Sequence, residues 1–208
     1  MVDADICRLL ILGDTTAAEG LFLQQAINVN AKLPCGLRPL TLALKLRSAE
    51  TIAMLLALGA DVELPDKIGG SSILYDAYWH SSEYEEPADL GLLLDGGLPI
   101  DRLDTKGMSL LMHAAASYVW TTKFLLERGA DPNLRDRDGW TAIMFAAQTD
   151  WHGPRLNRDS IAEVVRLLIK AGADLSLRNM KGERAADILA RQTPTSKTVE
   201  VMNLLGAA

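Results

Sequence analysis

The side chains best suited to catalysis or metal binding are few and widely separated along the chain. The histidines are His80, His113 and His152, and the cysteines are Cys7 and Cys35. A metal site needs ligands that converge at fixed distances, and no pair of these residues has the spacing of a known zinc motif. Phosphate-binding loops, nucleophile elbows and zinc-protease motifs are also missing from the sequence. We therefore predict that the protein is not an enzyme and has no catalytic residues, no cofactor-binding residues and no metal ligands.

Aspartates are more numerous, but they recur at regular positions beside glycine. Gly-Ala-Asp is found at 59–61, 129–131 and 172–174, and related segments begin at 26 and 97. The successive intervals of 33, 38, 32 and 43 residues fit a base period of 33 with two insertions. Short carboxylate side chains commonly accept backbone hydrogen bonds in turns, so we interpret these aspartates as turn-forming rather than catalytic.

The repeating segment also supplies the elements that would position these side chains. Gly129 is suited to the left-handed conformation that closes a helix, and Asp136 and Gly139 bracket a tight turn. Thr141 then stands where a hydroxyl can cap the next helix. Three apolar residues precede each turn at matching positions, at 21–23, 54–56, 92–94, 124–126 and 167–169. Each unit is therefore predicted to be a helix, an extended finger and another helix.

A 33-residue period with Gly-Ala-Asp-x-Asn and a Thr-Pro-Leu-His-x-Ala slot resembles the ankyrin repeat. Incomplete copies of the second motif stand at 38–41, 72–75, 109–112, 141–144 and 184–187. The resemblance implies an all-α solenoid of about six helix-turn-helix units with β-hairpin-like fingers, forming a single domain over 1–208. The predicted units are about 1–34, 35–67, 68–104, 105–136, 137–179 and 180–208, and the first and last are expected to be caps.

Composition narrows the expected partners and location. The formal net charge is −6, from 21 basic and 27 acidic residues, which argues against nucleic acid as a main partner. Two cysteines without paired spacing favour a reducing compartment over a disulfide scaffold. We find no signal peptide and no apolar run long enough to span a membrane. We therefore expect a soluble, cytoplasmic protein that binds neither nucleic acid nor membrane.

The resemblance implies a protein partner of unknown identity, bound through finger tips and exposed ends of the inner helices. Met180 and Lys181 also fall at a tip by phase. Aromatic, Arg and Met side chains are typical anchors of interfaces. The predicted partner-binding residues are Lys67, Ile68, Trp79, His80, Lys106, Met108, Arg137, Trp140 and Gln148.

Each tryptophan has an alternative role that the sequence leaves open. Trp140 could pack against a neighbouring finger, and Trp79 could be buried by the irregular third unit. Trp120, beside an outer helix, is predicted to lie in the core.

The two insertions, at 81–89 and 150–159, are predicted to project from the edge opposite the fingers. They give a candidate second contact with a partner. The acidic turn could instead be a solvated loop, and the Trp151 ring could instead pack back onto the protein. The residues of this second contact are Glu83, Tyr84, Glu85, Glu86, Trp151 and His152.

The leading functional hypothesis is a non-enzymatic protein–protein interaction module. A more specific version is an inhibitor or immunity protein that neutralises a toxic enzyme, since an acidic surface suits a basic active site. An effector or adaptor acting on a host protein is a further alternative, although nothing in the sequence indicates export. A toxin-like neighbouring gene would favour the inhibitor.

Overall fold

The computed structural model describes residues 2–25, 27–64, 88–104, 106–148, 158–191 and 196–206. The regular elements in these ranges are all α-helices, and the one β-bridge among them pairs Leu103 with Ser109. No helix in the described part of the chain is long and apolar enough to cross a membrane. The described residues fall into two compact parts, each larger than a single repeat. From here on, the first unit means the described residues up to 99, and the second unit means those from residue 100 onward.

The first unit contains five short helices in its described ranges. Its helices are α1 (Val2–Leu12), α2 (Thr15–Gln24), α3 (Pro39–Leu46), α4 (Ala49–Ala57) and α5 (Ala88–Asp95). Helix α1 packs on α2 and α3, and α4 packs on α2, α3 and α5. The core of this unit is formed by fully buried aliphatic side chains, including Ile6, Leu10, Leu44, Ile52, Leu55, Leu90 and Leu93.

The two cysteines are neighbours in the first unit. Cys7 lies on α1 and Cys35 lies in the loop before α3, and both are free thiols. Burial raises the pKa of the Cys7 thiol, and the hydrogen bond between the two thiols raises it further. The sequence spacing of 28 residues gave no sign of this contact.

The second unit has two layers of helices. Its helices are α6 (Leu110–Ala115), α7 (Val119–Glu127), α8 (Ala142–Ala147), α9 (Arg158–Lys170), α10 (Ala185–Ala190) and α11 (Ser196–Leu204). The inner layer contains α6, α8 and α10, and the outer layer contains α7, α9 and α11. Ala114, Ala115 and Ala147 are almost completely buried, and such small side chains let the short inner helices approach one another closely.

The helix ends follow the repeat signature. Gly129, which follows the C-cap residue Arg128 of α7, has φ +89°, so its predicted left-handed conformation is confirmed. The amide of Ala130 then donates to the carbonyl of Leu125 at 3.0 Å, which closes the end of the helix. This geometry fixes the direction in which each finger leaves its outer helix.

The predicted cap at Thr141 is only half right. Thr141 does occupy the position before α8 with extended backbone angles, but its side chain makes no capping hydrogen bond. Ser109 holds the same position before α6, and its hydroxyl accepts from the amide of Met112 at 3.3 Å. The Thr141 hydroxyl is instead buried and has no hydrogen-bond partner among the described residues, so residue type and position alone did not determine its bonding.

Candidate protein-binding surface

Three fingers project from the second unit, and all three end in the same turn. We call the described residues of 100–108, 131–140 and 174–183 the fourth, fifth and sixth fingers. In the fifth finger, one carboxylate oxygen of Asp136 accepts from the amides of Asp138 at 2.9 Å and Trp140 at 2.7 Å. The backbone of Asp136 pairs with Trp140 and Gly139. Asp104 and Asn179 hold the other two tips through the same pair of amide hydrogen bonds.

The fifth and sixth fingers are bonded directly to each other. The amide of Met180 donates to the carbonyl of Asp138 at 2.8 Å, close to the two tips. Farther from the tips, the Arg135 guanidinium donates to the carbonyl of Arg178 at 2.5 Å. These bonds join residues that are more than forty positions apart in the sequence, and they hold the two tips in one fixed arrangement.

Asparagine connects the bases of successive fingers. The Asn133 side chain accepts from the amide of Asp174 at 2.7 Å and donates to the carbonyl of Gly172 at 3.0 Å. In the first unit, Asn30 makes the same two bonds with Asp61 and Gly59. The Gly-Ala-Asp-x-Asn signature is therefore a set of hydrogen bonds between neighbouring repeats.

The repeated aspartates serve the backbone within their own segments as well. The carboxylates of Asp131 and Asp174 each accept from the amide two residues farther along, both at 2.8 Å. Their predicted role in forming turns is confirmed.

The tips present basic and apolar side chains. Lys106 and Arg137 are exposed, and Met180 is 77% exposed. Met108 and Gln148 are partly exposed. These residues therefore lie on accessible parts of the fingers and of the inner-helix ends in the second unit.

Trp140 combines partial exposure with local packing. Its ring centroid lies 5.3 Å from that of Phe145 on α8, with the two rings tilted by 40°. Phe145 is itself buried, so Trp140 joins the end of the fifth finger to the inner helix.

Several predicted contact residues lie outside the described residues. These are Lys67, Ile68, Trp79 and His80 of the finger surface, and all of the second contact, which comprises Glu83, Tyr84, Glu85, Glu86, Trp151 and His152. Their roles stay predictions.

Trp120 contradicts its prediction as a core residue. The side chain is 48% exposed, and the Lys123 ammonium lies 5.4 Å from its ring centroid. The buried face of α7 is formed instead by Thr121, Thr122 and Leu125. Thr122 can be buried because its hydroxyl donates to a backbone carbonyl within the helix. Assigning the largest apolar side chain to the core was therefore wrong here.

His113 is the one histidine among the described residues, and it pairs with Asp104. Its Nε2 lies 2.9 Å from the Asp104 carboxylate, and the two side chains are 18% and 11% exposed. Burial would raise the pKa of Asp104, but hydrogen bonds from the Met108 amide, the His113 ring and the Lys106 amide together lower it. No cluster of three or more metal-ligating side chains occurs in the described part of the chain. His113 therefore supports the turn of its own finger.

We expect Asp104→Asn to lower the free energy of unfolding by about 1 kcal/mol at pH 7, because hydrogen bonds to charged groups are the stronger ones. The asparagine can still hold the turn, as Asn179 does in the sixth finger. A lowered carboxylate pKa stabilises the folded state above the unfolded-state pKa of about 4, and this contribution is lost as the pH falls through the folded-state pKa.

Urea unfolding of wild type and Asp104→Asn across pH 7 to 3 would measure this difference. The difference between the two proteins should shrink as the pH falls towards the folded-state pKa of Asp104. Asp138→Asn, at the exposed tip of the fifth finger, is the matched control and should change little. A constant difference between wild type and Asp104→Asn at every pH would show that the charge of Asp104 is not involved.

Comparison with known proteins agrees with this architecture. A family model of ankyrin repeats, in three copies, matches residues 80–179. The chain is similar to Ankyrin repeat and SOCS box protein 6 of Homo sapiens, with 32% identity over 186 residues, which cover 82% of this chain and 43% of that protein. A putative ankyrin repeat protein of Rickettsia felis is 39% identical over 64 residues, 29% of this chain and 24% of that protein. The chain thus spans less than half the length of these curated relatives.

The crystal structure of an ankyrin repeat domain from Acinetobacter baumannii AYE matches 97% of this chain and 95% of its own, with a TM-score of 0.78. Its sequence identity is 23%, so this likeness shows the fold alone. The predicted fold class, an all-α ankyrin-repeat solenoid, is confirmed. Ankyrin repeats are a general protein–protein interaction module and typically a non-catalytic scaffold. From the family match over residues 80–179, the hydrogen-bonded repeat signature and the fold together, we conclude that this chain contains ankyrin repeats.

Proposed function

We propose that this protein is a non-enzymatic binding module whose second unit holds a protein partner at the finger tips and inner-helix ends. The observation that carries the proposal is the fixed arrangement of the fifth and sixth fingers. Their backbones are bonded to each other through Met180 and Asp138, while the tip side chains stay exposed. A surface that is already ordered loses less conformational entropy when a partner binds.

The side chains on this surface suit a protein interface. Met180 offers a flexible thioether that adapts to irregular apolar surfaces, and Arg137 offers a planar cation. Met108 and Trp140 add partly exposed apolar area close to the tips of the fourth and fifth fingers. Arg, Met and aromatic residues are enriched in interfaces, which supports a protein as the bound molecule.

Affinity purification from cells that make the protein, with variants as parallel baits, would test the proposal. The tip variant combines Arg137→Ala with Met180→Ala, two exposed positions where truncation should leave the fold intact. We expect a partner retained by wild type to bind the tip variant at least about tenfold more weakly, as truncation of interface anchors does. Binding of the identified partner would be measured by calorimetry.

Trp120→Ala is the matched control, because it removes an exposed aromatic from an outer helix rather than from a finger. It should retain the partner, and all variants should keep the wild-type helical spectrum. Loss of the partner with Trp120→Ala, together with normal binding by the tip variant, would place the interface on the outer helices and contradict the proposal.

A further inference from the structure

Four arginines form a connected cluster on the fifth and sixth fingers and at the two ends of α10. We call Arg135, Arg178, Arg184 and Arg191 the arginine patch. All four side chains are partly or largely exposed, with Arg178 at 55% and Arg191 at 59%. The patch therefore presents guanidinium groups to solvent beside the tips proposed to contact the partner.

Two members of the patch are held by backbone carbonyls. Arg135 donates through Nη2 to the carbonyl of Arg178 at 2.5 Å, and Arg178 donates through Nη1 to the carbonyl of Gly182 at 2.6 Å. A guanidinium has five N–H donors, so each side chain keeps further donors after making these bonds. Arg135 and Arg178 are thus oriented before any ligand arrives, which reduces the entropy lost on binding.

The carboxylates within the patch are already engaged. Asp187 lies 3.2 Å from the Nε of Arg184 and 3.5 Å from the Nη1 of Arg178. Hydrogen bonds from Arg184 lower the pKa of Asp187 to about 2, so it is ionised at neutral pH. Glu183 pairs with Arg191 and also accepts from the Asn179 amide group at 3.0 Å.

Counting these groups gives the patch a local positive charge. Four guanidinium groups against the carboxylates of Glu183 and Asp187 leave a surplus of two positive charges, in a chain whose net charge is −6. At the neighbouring tips, the cations Arg137 and Lys181 equal in number the carboxylates of Asp136 and Asp138, so the surplus stays at two positive charges. Asp136 turns its carboxylate into its own turn, and the exposed Asp138 stands beside Arg137.

From these contacts we propose that the arginine patch binds an acidic segment of the protein partner, one rich in Asp or Glu side chains. The inference rests on the proposed function and names the chemistry that the fingers recognise. Guanidinium groups bind carboxylates through paired N–H donors, which gives these contacts both strength and directional specificity. The local surplus would also attract such a segment before contact, in a way that weakens with salt.

A nucleic acid offers phosphates to the same donors, but the observations favour a protein. A long polyanion extends well beyond a patch of this size and meets the negative charge of the rest of the chain. A short acidic segment within an otherwise neutral protein surface avoids that repulsion.

Fluorescence anisotropy with a labelled glutamate-rich peptide would test the patch on the full chain. The patch variant, Arg135→Gln with Arg178→Gln, should bind the peptide at least about tenfold more weakly than wild type, since two charge-assisted contacts are lost. The control variant, Lys123→Gln with Lys170→Gln, removes the same charge from the outer helices. It should bind within about twofold of wild type, as expected for charges remote from the interface.

Arg135→Lys combined with Arg178→Lys separates charge from geometry. Lysine keeps the positive charge but has no planar fork, so binding should fall between wild type and the patch variant. Each variant needs an unchanged helical spectrum and melting temperature to be interpreted. If the glutamine variant has a lower melting temperature than wild type, only the lysine variant is used to test the proposal. Equal peptide binding by wild type and the lysine variant would then exclude a role for the oriented guanidinium groups.

Three results would overturn the inference. They are no binding of the peptide to wild type, equal weakening by the patch and control variants, and tighter binding of single-stranded DNA with the same number of charges. The proposed function is tested separately with the captured partner. If the tip variant loses that partner and the patch variant keeps it, the proposed binding function is supported and the proposal of an acidic segment is contradicted.

Discussion

Gly139→Val is expected to lower the free energy of unfolding by about 3 kcal/mol, from strained backbone and overpacking together. Gly139 has φ +77°, a conformation that a β-branched residue adopts only with strain. A Cβ at this position would also lie 2.8 Å from the Arg135 guanidinium and 3.3 Å from backbone atoms of Asn179 and Met180. The sixth finger would therefore have to move away from the fifth.

Gly182→Val separates the two contributions. Gly182 holds the same tip position in the sixth finger with φ +78°, but nothing lies within 4 Å of its Cβ position. Gly182→Val should therefore lower the free energy of unfolding through backbone strain alone, by about 1–2 kcal/mol.

Gly20→Ala, inside α2 with open space around it, should instead stabilise the first unit by up to about 1 kcal/mol. Urea unfolding would measure all three, and equal losses at Gly139 and Gly182 would show that the fingers do not press on each other.

The turns could be predicted from sequence because their causes are local. A left-handed residue after a helix strongly favours glycine, and a tip of this type needs a short side chain that accepts amide hydrogen bonds. Gly129 and Asp136 meet these demands within a few residues of the groups that they serve. Their spacing therefore identified the repeat and the start of each helix.

The bonds between fingers could not be predicted in this way. Asn133 reaches Gly172, and Arg135 reaches Arg178, only because adjacent repeats stack in one register despite an insertion between them. The sequence gives the period of the repeats but not the side-chain partner across that distance. The arginine patch has the same origin, since its members become neighbours only after the fifth and sixth fingers have packed.

Which side chains of an outer helix are buried depends on how the helix is rotated about its own axis, and the composition of the helix does not reveal that rotation. On α7, the hydroxyl of Thr122 bonds to the carbonyl of Tyr118, so a polar residue faces the core while Trp120 faces solvent. A residue-by-residue ranking of hydrophobicity gives the opposite order. Because Trp120 is exposed rather than in the core as predicted, Trp120→Ala is a suitable control for the binding experiments.

Deleting the chain from Gly182 onward is expected to unfold much of the second unit. Helix α10 packs on α8, and α11 packs on α9 and α10, so the deletion exposes the faces of α8 and α9 that these helices cover. The removed residues include four buried aliphatic side chains, Ile188, Leu189, Val201 and Leu205. At about 1.5–3 kcal/mol each, their burial stabilises the unit by roughly 6–12 kcal/mol before entropy is counted. That range is comparable to the whole stability of a typical domain, about 5–15 kcal/mol.

Thermal melting followed by circular dichroism, with size-exclusion chromatography, would test the deletion. The shortened protein should melt at a much lower temperature and associate through its exposed apolar faces, because each repeat of this kind is stabilised by its neighbours. Deletion from Gly206 onward is the control, since it keeps Leu205 and the packing of α11, and it should melt like the full chain. If the protein shortened at Gly182 melts at the full-length temperature and stays monomeric, the last helix pair contributes little to the second unit, and the stability must come from contacts among α6, α7, α8 and α9.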